Sequence, residues 1–106
     1  MSEDNVIARA WRGATSIEDG DRYLRYLGET GVAACRGTGG NRGVYVLRRE
    51  REGRAEFLFL SLWDSADSIR AFAGPHPEHA VFFPQDDEFL VEREETVDHY
   101  EVCVAP

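Results

Sequence analysis

The sequence predicts an α+β fold, a four-stranded antiparallel sheet with two helices packed on one of its faces. Three observations predict it. Residues 57–63 (FLFLSLW) are apolar at both parities of a two-residue repeat, as in a strand covered on both faces. That strand feeds directly into a helix signalled at its start by Asp64-Ser65 and at its end by Gly74-Pro75. The surrounding elements read strand, helix, strand, strand, helix, strand.

In order along the chain, residues 1–4 read as a polar, frayed start. Residues 6–14 (VIARAWRGA) form the first strand, with Ile7, Arg9 and Trp11 on one face and Val6, Ala8 and Ala10 on the other. Thr15-Ser16 caps a helix whose first turn holds Glu18 and Asp19, at the positive end of its dipole. Ile17, Gly20, Leu24, Leu27 and Gly31 follow helical spacing, and Gly28 and Gly31 stop the helix near Thr30. GTGGNRG lacks the Gly-Lys-Ser/Thr ending of a phosphate loop and precedes a strand, so it reads as a connector. Residues 44–51 make the second strand, and Arg51-Glu52-Gly53-Arg54 turns tightly into the central one. After the central helix, two prolines leave room for a short helical segment between Glu78 and Phe83. Residues 85–95 read as an acidic, solvated surface anchored by Phe89, Leu90 and Val91, because Asp86, Asp87 and Glu88 match no calcium loop. Residues 96–105 close the chain as the last strand.

At 106 residues the chain is one domain, with its core over about 6–104. Its net charge of −8, with no Lys and twelve Arg, argues against nucleic acid or an anionic membrane as partner. The two cysteines, Cys35 and Cys103, are too few for a disulfide framework or a zinc site and read as reduced thiols. No apolar leader is apparent, and a cytoplasmic location is expected.

With right-handed crossovers, this order of elements gives the ferredoxin-like βαββαβ arrangement. The helices cover only one face. Leu58, Leu60, Leu62, Tyr100, Val102 and Val104 make the other face apolar too, which predicts a homodimer packed sheet to sheet about a two-fold axis.

The order of elements, Leu62-Trp63-Asp64-Ser65, Ile69-Arg70-Ala71-Phe72 and the terminal His99-Tyr100-Glu101 together resemble the antibiotic biosynthesis monooxygenase (ABM) family. That family belongs to the dimeric α+β barrel superfamily. The resemblance covers roughly residues 6–104 and is most specific over 57–72. It implies a dimer whose two sheets form a barrel, with a pocket in each subunit between sheet and helices. Relatives include cofactor-independent oxygenases of polycyclic phenols, haem-degrading enzymes, isomerases and decarboxylases, so fold does not settle chemistry. The haem-degrading branch has an Asn on the first strand, a Trp on the second helix and a His beyond it. Arg9 and Phe72 stand at the first two positions, and His79 matches the third only with a shifted gap.

Strand parity places Arg9, Trp11, Phe57, Phe59, Ser61, Trp63, His99 and Glu101 on the helix-facing side, where Phe72 and His79 close a pocket. A guanidinium on that apolar face needs a partner, either Glu101 or an anionic ligand. His99 is the strand-borne candidate for a general base, or a hydrogen-bonded core histidine. Trp11, Trp63 and Phe72 are candidate substrate platforms or core. Tyr45 either assists a phenolic substrate or crosses the dimer interface. The expected function is cofactor-independent monooxygenation of an aromatic or polyketide-like molecule, with no metal. His99 takes the proton and Arg9 steadies the oxyanion. An isomerase or cyclase in the same pocket, or a catalytically silent ligand-binding dimer, stand as alternatives.

Overall fold

Strand β1 (Ile7–Ser16) pairs residue for residue with β3 (Arg54–Trp63), from Ile7 opposite Trp63 to Ser16 opposite Arg54. The computed structural model describes residues 5–106, so the expected polar start lies outside the described residues. Strand β2 (Asn41–Arg51) flanks β3 on its other side through a two-residue turn. Glu52 and Gly53 both have positive φ (55° and 77°), the turn that matches the twist of paired strands. Helices fill the crossover from β1 to β2 and follow β3, as predicted.

The sheet has five strands rather than four, in the order β2-β3-β1-β4, with β5 also on β1. Strand β4 (Leu90–Arg93) pairs with Gly13–Thr15, and β5 (Asp98–Glu101) pairs with Ile7–Ala10. These two are the single last strand expected over 96–105, begun earlier and broken by a jog. The Trp11 indole N–H donates to the Glu94 carbonyl at 2.8 Å, taking an acceptor that a continuous ladder would use. The neighbouring backbone turns outward instead, where Glu95 and Val97 bond residues Ala80 and Glu78 at 2.9 Å.

The first helical arm departs from expectation at both ends. Thr15 and Ser16 stay in β1, and helix α1 (Gly20–Leu27) starts after a turn in which Asp19 N–H bonds both Ser16 oxygens. The arm does not stop near Thr30. It passes through a π turn (Gly28–Val32) into α2 (Ala33–Arg36). Its sheet-facing residues Tyr23, Leu27, Gly31 and Cys35 recur every four residues and are all buried. A straight α-helix turns such a row by about 40° per step, and the wider π turn takes up that drift.

Helix α3 (Ala66–Ala73) has Ser65 as N-cap, its Oγ accepting from Ser68 N at 3.1 Å, and Gly74 (φ 88°) ends it. Residues 75–84 form no helix; they run as a strap across the helix side of the sheet, bridged at His79 to Thr96. Pro75, Pro77 and Pro84 remove backbone donors that a helical turn there would use. The acidic stretch is not simply solvated: Asp86 to Phe89 form the short helix α4, with Asp86 and Phe89 both buried. Two clusters make the core, Tyr23, Leu27, Phe57 and Phe89 in one, and Cys35, Trp63 and Ile69 in the other. Phe59 packs against both. None of the helices formed by the described residues is long and apolar enough to cross a membrane.

One glycine is dictated by the corner where β3 meets α3. Gly40 has φ 90°, and a Cβ there would overlap Ser68 Oγ, which donates to Asp64 Oδ1 at 2.6 Å. Gly40→Ala is expected to lower stability by about 2–4 kcal/mol, from the left-handed backbone and the clash together. Urea denaturation measures this, and a change within error would contradict it.

Candidate functional site

Between sheet and helices lies a cavity of about 50 Å³, floored by Phe59 and roofed by Val81, Phe82 and Phe83 of the strap. A wider groove of about 560 Å³ lies elsewhere, but its walls include Glu56 and Glu92, which neutralise Arg49, Arg51 and Arg54. The smaller cavity has the more unusual electrostatics.

At one end is Arg9, only 4% exposed, on the face that β1 turns to the helices. No carboxylate meets it among the described residues; its guanidinium donates to the carbonyls of Pro77 (2.8 Å) and His79 (2.9 Å). It also lies over the Phe72 ring, 5.7 Å from the centroid, which stabilises a desolvated cation modestly. Burial pulls its pKa below the ordinary value. Beside it Ser61 Oγ accepts from Trp63 Nε1 at 2.8 Å, and burial pushes the neighbouring Cys35 thiol up to about 11, so that thiol stays protonated. A positive charge held by neutral carbonyls is incompletely compensated, and it faces the cavity.

Tyr23 and Asp86 mark the other end. The Tyr23 hydroxyl donates to Asp86 Oδ1 at 3.2 Å, and Phe83 N–H donates to Oδ2 at 2.6 Å. Burial raises the pKa of both groups, and the adjacent Asp86 carboxylate raises that of Tyr23 further. Tyr23 packs edge-on against Phe57, with ring centroids 5.2 Å apart.

Of the residues singled out from the sequence, Arg9, Trp11, Phe59 and Phe72 meet at this cavity. Trp63 lies behind it, fully buried and stacked on Phe72 at 5.5 Å. His99 sits directly opposite Arg9 on β5 but outside the cavity wall, exposed on the edge of the sheet. Desolvation and the Arg9 charge lower its pKa, so its ring is neutral at pH 7. The His79 carbonyl holds Arg9 while its ring lies outside against His76, with centroids 5.5 Å apart. Tyr45 is on the open face, opposite Leu60. The expected Arg9–Glu101 pair does not form: Glu101 is at the exposed edge, bonded to Asn5 at 2.6 Å.

Strand parity also turns Ser61, the one polar residue in FLFLSLW, to the helix side, and it lines the cavity. Tyr23 and Asp86 were not anticipated. Asp86 had a weak signal: it stands three residues before Phe89, on the same side of any helical turn, so an anchored Phe89 draws it inward. The strap's own Phe82 and Phe83 were placed in a helix that does not form, which hid their role as roof.

No family model matches the sequence, and a comparison with curated proteins finds no significant match. Solved structures do match. A protein of unknown function from Nitrosomonas europaea has a TM-score of 0.70 at 10% identity, over 99% of this chain and 96% of its own. A Bacillus cereus protein provisionally named an antibiotic biosynthesis monooxygenase has a TM-score of 0.65 at 13% identity, over 96% and 97%. The haem degrader MhuD of Mycobacterium tuberculosis, solved with two haems in its active site, has 0.62 at 15%, over 95% and 98%. The chain has the ABM fold. Within that fold, the residues here do not suit haem. The described cavity walls carry no His, Cys or Met side chain to ligate iron, and their one Tyr, Tyr23, is bonded to Asp86.

Proposed function

We propose that this ABM-fold chain is a cofactor-independent monooxygenase acting on an aromatic, enolisable small molecule. The observation that carries the reading is Arg9, a buried cation without a carboxylate partner among the described residues, at the end of an aromatic-walled cavity. Such a group stabilises the oxyanion that appears when a proton leaves carbon next to a phenone or quinone-methide system. The balanced step converts a ring CH2 and dioxygen to a ring carbonyl and water. One C–H proton goes to His99, the carbanion passes electrons to dioxygen, one oxygen atom stays on carbon and the other leaves as water. The carbon loses four electrons and dioxygen gains four. His99 lies opposite Arg9 but outside the cavity wall, so it takes the proton only from a substrate that extends past Arg9 to the edge of the sheet.

The test is oxygen uptake with 1,8-dihydroxyanthracen-9-one, metal-free. One equivalent of oxygen consumed per anthraquinone formed, faster than the uncatalysed reaction, is the expected result. Oxygen uptake no faster than without protein rejects the reading. Because Arg9 and desolvation both disfavour the imidazolium, against the opposing pull of Asp98 and Glu78, the basic limb should lie low. The rate should rise with pH with its midpoint below the ordinary histidine range, and His99→Gln should remove that limb. An unchanged pH profile in the variant would exclude His99 as base.

A second reading, a catalytically silent ligand-binding dimer, is favoured by the small cavity volume and by the carbonyls that already satisfy Arg9. We also propose that two copies pack sheet to sheet. In one chain the open face leaves Tyr45 55%, Leu47 48% and Tyr100 55% exposed around Leu58, Leu60 and Leu62, a patch that a second copy would cover. Leu60→Arg should halve the mass seen by analytical ultracentrifugation. A wild-type chain that sediments as a monomer would exclude the dimer.

A further inference from the structure

The size of the cavity between sheet and helices limits what it can hold. One water needs about 10–15 Å³ of such space, and an apolar cavity that holds a benzene is about 150 Å³. At about 50 Å³ this cavity is too small for a ring and has room for a molecule of a few heavy atoms. The strap therefore has to lift before any ring enters, whereas a smaller molecule fits beneath it. Gly31 adds to the space. It stands in the π turn, where a Cβ would come within 3.2 Å of the Phe59 ring and 3.9 Å of the Phe83 ring, so a side chain there would fill the cavity from the helix side.

The walls decide between water and an apolar occupant. Leu27, Phe59, Phe72, Val81, Phe82 and Val97 line the cavity with carbon. Its polar groups are bonded to protein: Arg9 to two strap carbonyls, Trp11 to the Glu94 carbonyl, Ser61 to Trp63, and Asp86 to both Tyr23 and the Phe83 N–H. No buried side-chain nitrogen or oxygen among the described residues lacks a partner. A buried water makes two to four hydrogen bonds, and these walls have little left to offer one. Apolar cavities stay dry and take up apolar guests, xenon among them.

We infer that the cavity, with the strap down, is a dioxygen site. An uncharged diatomic molecule with no hydrogen bonds to lose matches both its volume and its carbon walls. The walls select for size and polarity alone, so dinitrogen and xenon fit as well; dioxygen is the one of the three that reacts with a carbanion. That the bound molecule is the one consumed rests on the monooxygenase reading of this cavity. Its binding does not. A ring that enters under the lifted strap would then meet dioxygen already held beside Phe59.

Methyl proton relaxation of the wild-type protein under dioxygen pressure tests this, with dinitrogen at the same pressure as the diamagnetic reference. Leu27 (5% exposed) and Val97 (8%) line the cavity, whereas Ile69 (3%) is as deeply buried but belongs to the second cluster and not to the cavity wall. Gas that merely diffuses through the core would relax all three alike. Paramagnetic enhancement at the Leu27, Val81 and Val97 methyls should exceed that at Ile69 several-fold. Gly31→Ala and Val81→Leu, which add carbon from the helix side and from the strap, should each abolish most of that excess. Enhancement at the lining methyls no greater than at Ile69, or an excess that survives either filling, would overturn the inference. None of these signals needs turnover. The expected excess without catalysed oxygen uptake would sustain the gas site and remove the monooxygenase, and catalysed uptake without the excess would do the reverse.

Discussion

Arg9→Gln is expected to cut turnover of an enolisable aromatic substrate by about 100- to 1,000-fold, the loss typical when one oxyanion donor is removed. That corresponds to roughly 3–4 kcal/mol of transition-state stabilisation. The amide still fills much of the space and still donates to one strap carbonyl, so the variant isolates charge better than alanine would. In the native chain two donors of Arg9 hold Pro77 and His79. A variant whose strap is merely loosened would show faster amide exchange over residues 75–84 with turnover within a few fold of wild type. That outcome would make Arg9 a structural latch alone. A large fall in kcat with a folded chain and slow exchange would place it at the chemistry.

Trp63→Ala should destabilise the fold by about 3–5 kcal/mol, the usual cost of removing a buried aromatic side chain. Trp63 is 0% exposed, stacks on Phe72 at 5.5 Å, and belongs to the cluster with Cys35 and Ile69 that joins the end of β3 to α2 and α3. Its loss also deprives Ser61 Oγ of the indole donor at 2.8 Å. The backing of the Arg9 end would go with it, so residual activity should fall in parallel with stability. Trp63→Phe should recover most of the stability. Urea unfolding monitored by circular dichroism reads both, and a cost below about 1 kcal/mol for the alanine variant would show that the site collapses without strain.

Period and punctuation made much of the fold legible. The two-sided apolar run of β3, the Ser65 cap, the Gly74 stop and the Glu52-Gly53 turn are local signals, and each sits where its chemistry put it. What the sequence concealed is what depends on contacts far along the chain. The helical arm outruns its glycines because Gly31 packs against Phe59 and Cys35 is buried beside Trp63, tertiary gains that outweigh a weak propensity. The last strand breaks because Trp11 reaches a carbonyl 83 residues away. In the site, parity correctly turned Arg9, Trp11 and Phe59 toward the helices, since alternation alone decides that. Parity could not tell that Arg9 would find carbonyls of the strap instead of Glu101, or that Tyr23 would meet Asp86 63 residues later. Both partners lie in segments whose path is set by prolines and by packing rather than by periodicity.

The proposed chemistry requires that the cavity between sheet and helices admit a ligand to Arg9. A crystal structure grown with 1,8-dihydroxyanthracen-9-one measures this directly. It should show a ligand oxygen on the Arg9 guanidinium, the Pro77 and His79 carbonyls displaced, and the rings between Phe59 and the lifted strap. A cavity still closed, with Arg9 on its two carbonyls and the ligand absent or bound elsewhere, would contradict the account.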